Sequence, residues 1–144
     1  MLRTADVVEV LGGRKVLKRR ISSLTELRDR VRAGLPYASL EAVIGKFGFA
    51  RQEAARAISL PQRTIARRKK ERKLQADESD RLLRLALVGA QAADALGSDE
   101  KAATWLRRPN RALGGHTPLD LLDSEIGARQ VEQVLGRIEH GVYS

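Results

Sequence analysis

Ala55, Ser59 and Ile65 lie four and six residues apart, and a dense cationic run, Arg67-Arg68-Lys69-Lys70, follows them. Two short helices that cross closely need a small residue at the crossing, a small or flexible one in the turn, and an inward apolar anchor on the second helix. Those three positions meet those needs, with Leu60 as the apolar residue of the turn. The chemistry open to such a unit is recognition of a polyanion. Gln62, Arg63 and Arg67 would face base edges, since Gln pairs with adenine and Arg with guanine through two hydrogen bonds. Thr64, Arg68, Lys69, Lys70, Arg72 and Lys73 would meet phosphates, which fix position and give salt-dependent affinity. Taken alone, residues 67–73 fit a solvated basic helix face equally well; the spacing upstream favours DNA.

Other chemistries lack their residues. The chain has two histidines, His116 and His140, and no cysteine, so neither a thiolate metal site nor a disulfide framework can form. The segment Leu11-Gly12-Gly13-Arg14-Lys15 lacks the spacing of a phosphate-binding loop, and no Gly-x-Ser-x-Gly elbow occurs. His116 near Asp120 reads as a solvated loop histidine, because no nucleophile accompanies it. No catalytic residue, metal or cofactor is expected, and the chain reads as a binding protein rather than an enzyme.

The elements that must position these residues read as helices throughout. Of the 144 residues 42% are hydrophobic but only 3% aromatic, so the core is built from Leu, Val, Ile and Ala, which suits packed helices. An all-α fold is predicted. The formal net charge of +9 favours a polyanionic partner. That charge is uneven: residues 51–73 carry nine basic and two acidic side chains, whereas 95–144 carry six and seven. The asymmetry predicts two tasks, with the polyanion handled before about residue 74. No apolar stretch reaches bilayer length and Met1 to Gly13 has no signal-peptide order, so a cytoplasmic protein without membrane contact is expected.

Capping and stop signals divide the chain. Residues 1–21, with Gly12-Gly13 and no strong periodicity, read as a flexible arm. Ser23 with Glu26 opens a first helix that Gly34 closes, and Ser39 is expected to cap a second through Val43 and Ile44, ended by Gly48. Arg51 to Ile58 and Pro61 to about Lys73 are the helix pair, completing a helix-turn-helix module over 22–75. Asp77 with Asp80 starts a long core helix running to Leu96, so that 76–97 connects the halves. Ser98 caps another helix ending at Arg107-Arg108, the loop Asn110 to Thr117 carries Gly114-Gly115, Thr117-Pro118 starts a short turn, and Glu125 to His140 forms the last helix. The result is a helix-turn-helix N-terminal module followed by a small helical C-terminal module over 98–144.

The pair centred on Ser59 resembles the Xre/Cro-type helix-turn-helix, in which glycine usually stands where this chain has Ser59. The block Trp105-Leu-Arg-Arg-Pro-Asn-Arg-Ala-Leu-Gly-Gly-His-Thr-Pro-Leu-Asp-Leu-Leu-Asp-Ser124, followed by a helix ending Gly-Arg-Ile-Glu-His-Gly-Val-Tyr-Ser, resembles the toxin-binding domain of Xre/MbcA/ParS antitoxins. The closest likeness covers about 95–144. Membership would imply an antitoxin paired with an NAD-consuming RES-domain toxin, and a complex that represses its own operon through operator DNA. By the same resemblance toxin contacts fall on Arg108, Asn110, Arg111, Gly114, Gly115 and His116, and on a tail of Val142, Tyr143 and Ser144 that plugs the toxin's pocket. Trp105, Leu119 and Leu122 read as core, Gly114-Gly115 as a possible simple turn, and Tyr143 as a residue that can also fold back. A homodimer is expected, as helix-turn-helix proteins commonly bind paired half-sites. The alternative is a transcription regulator or nucleoid protein with no toxin partner.

Overall fold

The computed structural model describes residues 3–141, and its described residues form ten α-helices and one 3-10 turn, with no strand beyond a single isolated bridge. The helices are α1 (Thr4–Val10), α2 (Gly13–Leu17), α3 (Leu24–Arg32), α4 (Tyr37–Phe47), α5 (Arg51–Ala57), α6 (Gln62–Glu71), α7 (Ala76–Leu96), α8 (Asp99–Arg107), α9 (Pro118–Leu121) and α10 (Glu125–Glu139). The 3-10 turn, Arg111–Leu113, lies between α8 and α9.

The start of the chain departs from the sequence reading. Within the expected flexible arm, Thr4–Val10 and Gly13–Leu17 are helical and packed: Val7, Val8 and Val10 of α1, Leu11, and Leu17 of α2 are all buried. Sequence periodicity hid this because both helices are shorter than two full apolar repeats. Burial of five aliphatic side chains, each worth about 1.5–3 kcal/mol, holds helices that would not form alone. Helix α1 packs against α7 and α4, and α2 against α1 and α4.

Helix α7 organises the fold. Leu82, Leu85, Ala86, Val88 and Ala92 are inaccessible to solvent, and α1, α3, α8 and α10 pack around it. Where α4 crosses α7 the contact is so close that a Cβ on Gly89 would stand 2.7 Å from the Phe47 ring. Start signals in the sequence mostly act as expected: the hydroxyls of Ser23, Ser98 and Thr117 each accept the backbone N–H three residues on, at 3.1 Å.

Ser39 does not cap. Pro36 precedes the first turn of α4, and Ser39 lies within that helix, fully buried, its Oγ without a hydrogen-bond partner. Pro36 fits the cap position because its fixed φ suits the extended backbone there. The segment before α4 is also tied to the end of α6, for Leu74 N–H donates to Leu35 O at 2.9 Å and Tyr37 N–H to Arg72 O at 3.1 Å. Leu35 N–H in turn donates to the buried Ser79 Oγ of α7 at 2.7 Å. Gly34 adopts φ +92°, and a side chain there would collide with the Leu74 carbonyl, so this crossing requires glycine.

Candidate DNA interface and docking loop

Helices α5 and α6 form the crossing the spacing predicts. Ala55 is buried at the crossing, Ile58 and Leu60 close the turn from inside, and Ile65 anchors α6. Ser59 holds the turn with φ +52°, in the left-handed region that non-glycine residues adopt at a cost of about 1–2 kcal/mol. This is the position where the Xre/Cro-type pattern places glycine.

Inward residues Ile65 and Arg68 recur three apart on α6, so the opposite face looks outward. Gln62, Arg63, Ala66, Arg67, Lys69 and Lys70 are exposed there, Thr64 is half-buried, and Arg72 and Lys73 continue the exposed cations beyond the helix. Of the residues expected to meet bases or phosphates, Arg68 alone is turned inward. It is 5% exposed; its Nε and Nη2 donate to the two carboxylate oxygens of Glu78 at 2.7 and 2.9 Å, and its Nη1 donates to Glu71 at 2.9 Å. With its charge already matched by two carboxylates, Arg68 is not a phosphate contact. It fastens α6 to the first turn of α7.

Glu78 also accepts the N–H of Gln75 at 2.8 Å, so one carboxylate both starts α7 and holds Arg68. Burial pushes the Glu78 carboxyl up, but the Arg68 guanidinium and the Gln75 N–H outweigh it and keep it below its ordinary 4.5. The hydrogen bonds to Glu78 outweigh desolvation in raising the pKa of Arg68. Sequence reading missed this pair, although a glutamate beside Asp77 on the next helix was a visible signal.

The C-terminal module rests directly on the helix pair. Arg107 of α8 donates to both oxygens of Glu53 on α5, with the Nε–Oε2 bond at 2.9 Å, and to the Gly48 carbonyl at 2.6 Å. Its guanidinium lies 5.7 Å from the centre of the Phe49 ring. Burial again pushes the Glu53 carboxyl up, and Arg107 together with the Ala50 N–H brings it below the ordinary value. Arg56 donates to Asp120 at 2.8 Å, and Lys46 pairs with Asp99 at 3.2 Å.

The loop after α8 presents the remaining candidates. Asn110 organises it: its Oδ1 accepts Ala112 N–H at 2.9 Å, its N–H donates to His116 O at 3.0 Å, and its carbonyl accepts Gly115 N–H at 2.9 Å. Gly114 and Gly115, at φ +68° and +85°, let the chain return within these few residues. Arg108, Arg111, Gly114, Gly115 and His116 are exposed and Asn110 is half-buried. Arg108 and Asn110 line an open cleft of about 580 Å³ with Leu96, Glu100, Lys101, Thr104, Trp105 and Pro109. Trp105 is half-buried, packed on the core yet facing this cleft; Leu119 and Leu122 are core. Val142, Tyr143 and Ser144 lie outside the described residues. Among the described residues no cluster of metal-ligating side chains occurs, and no helix is long and apolar enough to cross a membrane.

Comparison with known proteins accounts for both halves. Residues 26–87 match the antitoxin Xre-like helix-turn-helix domain, and residues 91–141 match the antitoxin Xre/MbcA/ParS C-terminal toxin-binding domain. An antitoxin Xre of Yersinia enterocolitica is 34% identical over 83% of this chain and 82% of its own length. A second, from Photorhabdus laumondii, is 37% identical over 85% and 84%. The fold is shared with a chain of the M. tuberculosis MbcT-MbcA toxin-antitoxin complex, at a TM-score of 0.57 and 23% identity over 75% of this chain and 96% of that one. The chain belongs to the Xre/MbcA/ParS family of antitoxins, built as an Xre-like helix-turn-helix joined to the family's C-terminal toxin-binding domain.

Proposed function

We propose that this antitoxin binds operator DNA through the outer face of α6 and neutralises an NAD-consuming RES-domain toxin through residues 98–144, repressing its own operon. It acts by binding, without chemistry of its own. The observation that carries the DNA half is the orientation of α6: Gln62, Arg63 and Arg67 are exposed while Arg68 and Ile65 hold the helix from behind. A helix fixed in this way enters the major groove with its N-terminal residues at the base edges, and Thr64, Lys69 and Lys70 then meet phosphates. Two copies related by a two-fold axis would read paired half-sites.

Toxin contacts are assigned to Arg108, Asn110, Arg111, Gly114, Gly115 and His116, whose loop is exposed and held by the hydrogen bonds of Asn110. The tail Val142-Tyr143-Ser144 is assigned to the toxin's NAD pocket. Co-expression with the cognate RES-domain toxin tests the tail assignment. Full-length chain is expected to restore growth and suppress NAD loss, whereas a chain lacking 142–144 still co-purifies with the toxin but no longer suppresses NAD loss. Complete neutralisation by the truncated chain would overturn the plug, and absence of any toxin complex would favour a regulator acting alone.

A further inference from the structure

The cationic surface of α6 does not stop at its last turn. A Cβ on Gly34 would stand 2.8 Å from Cε of Lys73, which places the Lys73 side chain over the end of α3. There Arg30 donates to the Gly34 carbonyl at 2.6 Å, and burial first, the positive charge of Arg19 second, lowers the Arg30 pKa. Arg19 belongs to Lys18-Arg19-Arg20, three exposed cations in succession between the buried side chains of Leu17 and Ile21. Lys18 sits at φ +64°, a left-handed backbone that only a well-anchored turn imposes on lysine. None of Lys18, Arg19, Arg20, Arg30 and Lys73 forms a carboxylate ion pair among the described residues.

Like charges held together on a pinned turn, beside a helix face that is itself basic, cost free energy that an external polyanion recovers. We infer that the Lys18–Arg20 turn, joined to α6 through Lys73, is a second phosphate-contact surface that extends the DNA footprint beyond the α6 half-site. The inference rests on the DNA reading of α6. It assigns the turn no role in choosing sequence, because cations of this kind neutralise phosphates and release counterions.

The test uses the full chain and random-sequence duplexes of two lengths, one covering about a single helical turn and one about three. Fluorescence anisotropy is measured across a salt series for the wild type and for the triple variant Lys18→Asn, Arg19→Gln, Arg20→Gln. Asn is chosen because it tolerates the left-handed backbone. The expected result is a salt slope smaller by about 2–3 in the variant, near 0.9 for each phosphate lost, with affinity for the longer duplex roughly 10- to 100-fold lower at low salt. Affinity for the short duplex is expected to change less, and a charge-keeping variant, Lys18→Arg, Arg19→Lys, Arg20→Lys, restores the slope. An unchanged slope in the triple variant while the wild type binds DNA overturns this inference alone. Failure of the wild type to bind either duplex overturns the α6 reading and this inference with it.

Discussion

The guanidinium of Arg68 on α6 and the carboxylate of Glu78 on α7 meet through two parallel hydrogen bonds of 2.7 and 2.9 Å, both side chains almost fully buried. An arginine in a run of seven consecutive charged residues is thereby removed from the surface and made a joint between helices.

That joint separates stability from the proposed DNA contact. Arg68→Ala leaves Glu78 buried without its partner and is expected to lower Tm on the order of 10 °C. Arg67→Ala, one residue earlier and exposed, leaves Tm within about 1 °C and lowers DNA affinity. Thermal melts followed by circular dichroism, beside anisotropy titrations, distinguish the two. Equal melting temperatures for both variants would contradict the assignment.

Besides the packing of α8 and α10 on α7, Arg107 links the two modules. Arg107→Ala removes bonds to Glu53 and Gly48 and the contact with Phe49; discounted for partial exposure, the expected loss is about 1 kcal/mol in urea denaturation. Arg56→Ala breaks the pair with Asp120, but Arg56 is 73% exposed, and no loss beyond about 0.5 kcal/mol is expected.

Ser59→Gly relieves the left-handed strain of the turn at φ +52°. Against the greater freedom of glycine in the unfolded chain, the expected net gain is about 0.5–1 kcal/mol. The midpoint of chemical denaturation should rise with an unchanged slope, and DNA affinity should stay the same, since the turn supplies geometry rather than contacts.

Acid should weaken the fold through Glu78 and Glu53. Both carboxyls are held below their ordinary 4.5 in the folded state, burial opposing the shift and arginine and backbone N–H bonds outweighing it. Their contribution is therefore fully present above about pH 4.5 and is lost as pH falls through the lower folded values. Tm is expected to be nearly level between about pH 7 and 5.5 and to fall steeply below 4.5. In Glu53→Gln the acid-dependent part shrinks, while Tm at neutral pH is lower.

Much of this was legible in the sequence, for identifiable reasons. The serine and threonine caps at Ser23, Ser98 and Thr117 act locally, three residues from their donors, so type and spacing suffice to find them. Ala55, Ser59 and Ile65 were legible because the helix crossing imposes residue size at fixed separations. The helical N-terminus was not, because α1 and α2 owe their order to burial against elements far along the chain. Arg68 was misread for a related reason. Its partner Glu78 lies on another helix, and charge alone does not say which member of a basic run turns inward. The docking of Arg107 on Glu53, across fifty-four residues, had no sequence signal at all.

Sequence reading by α6 is what the proposed repression requires. Anisotropy titration of a duplex taken from upstream of this gene, against a random duplex of equal length at one fixed salt concentration, tests it with wild type and Arg63→Ala. The wild type is expected to prefer the upstream duplex by roughly 10³-fold or more, and Arg63→Ala to lose about 1–3 kcal/mol on that duplex with little change on the random one. Equal affinity of the wild type for both duplexes, or an equal loss on both in Arg63→Ala, would contradict it.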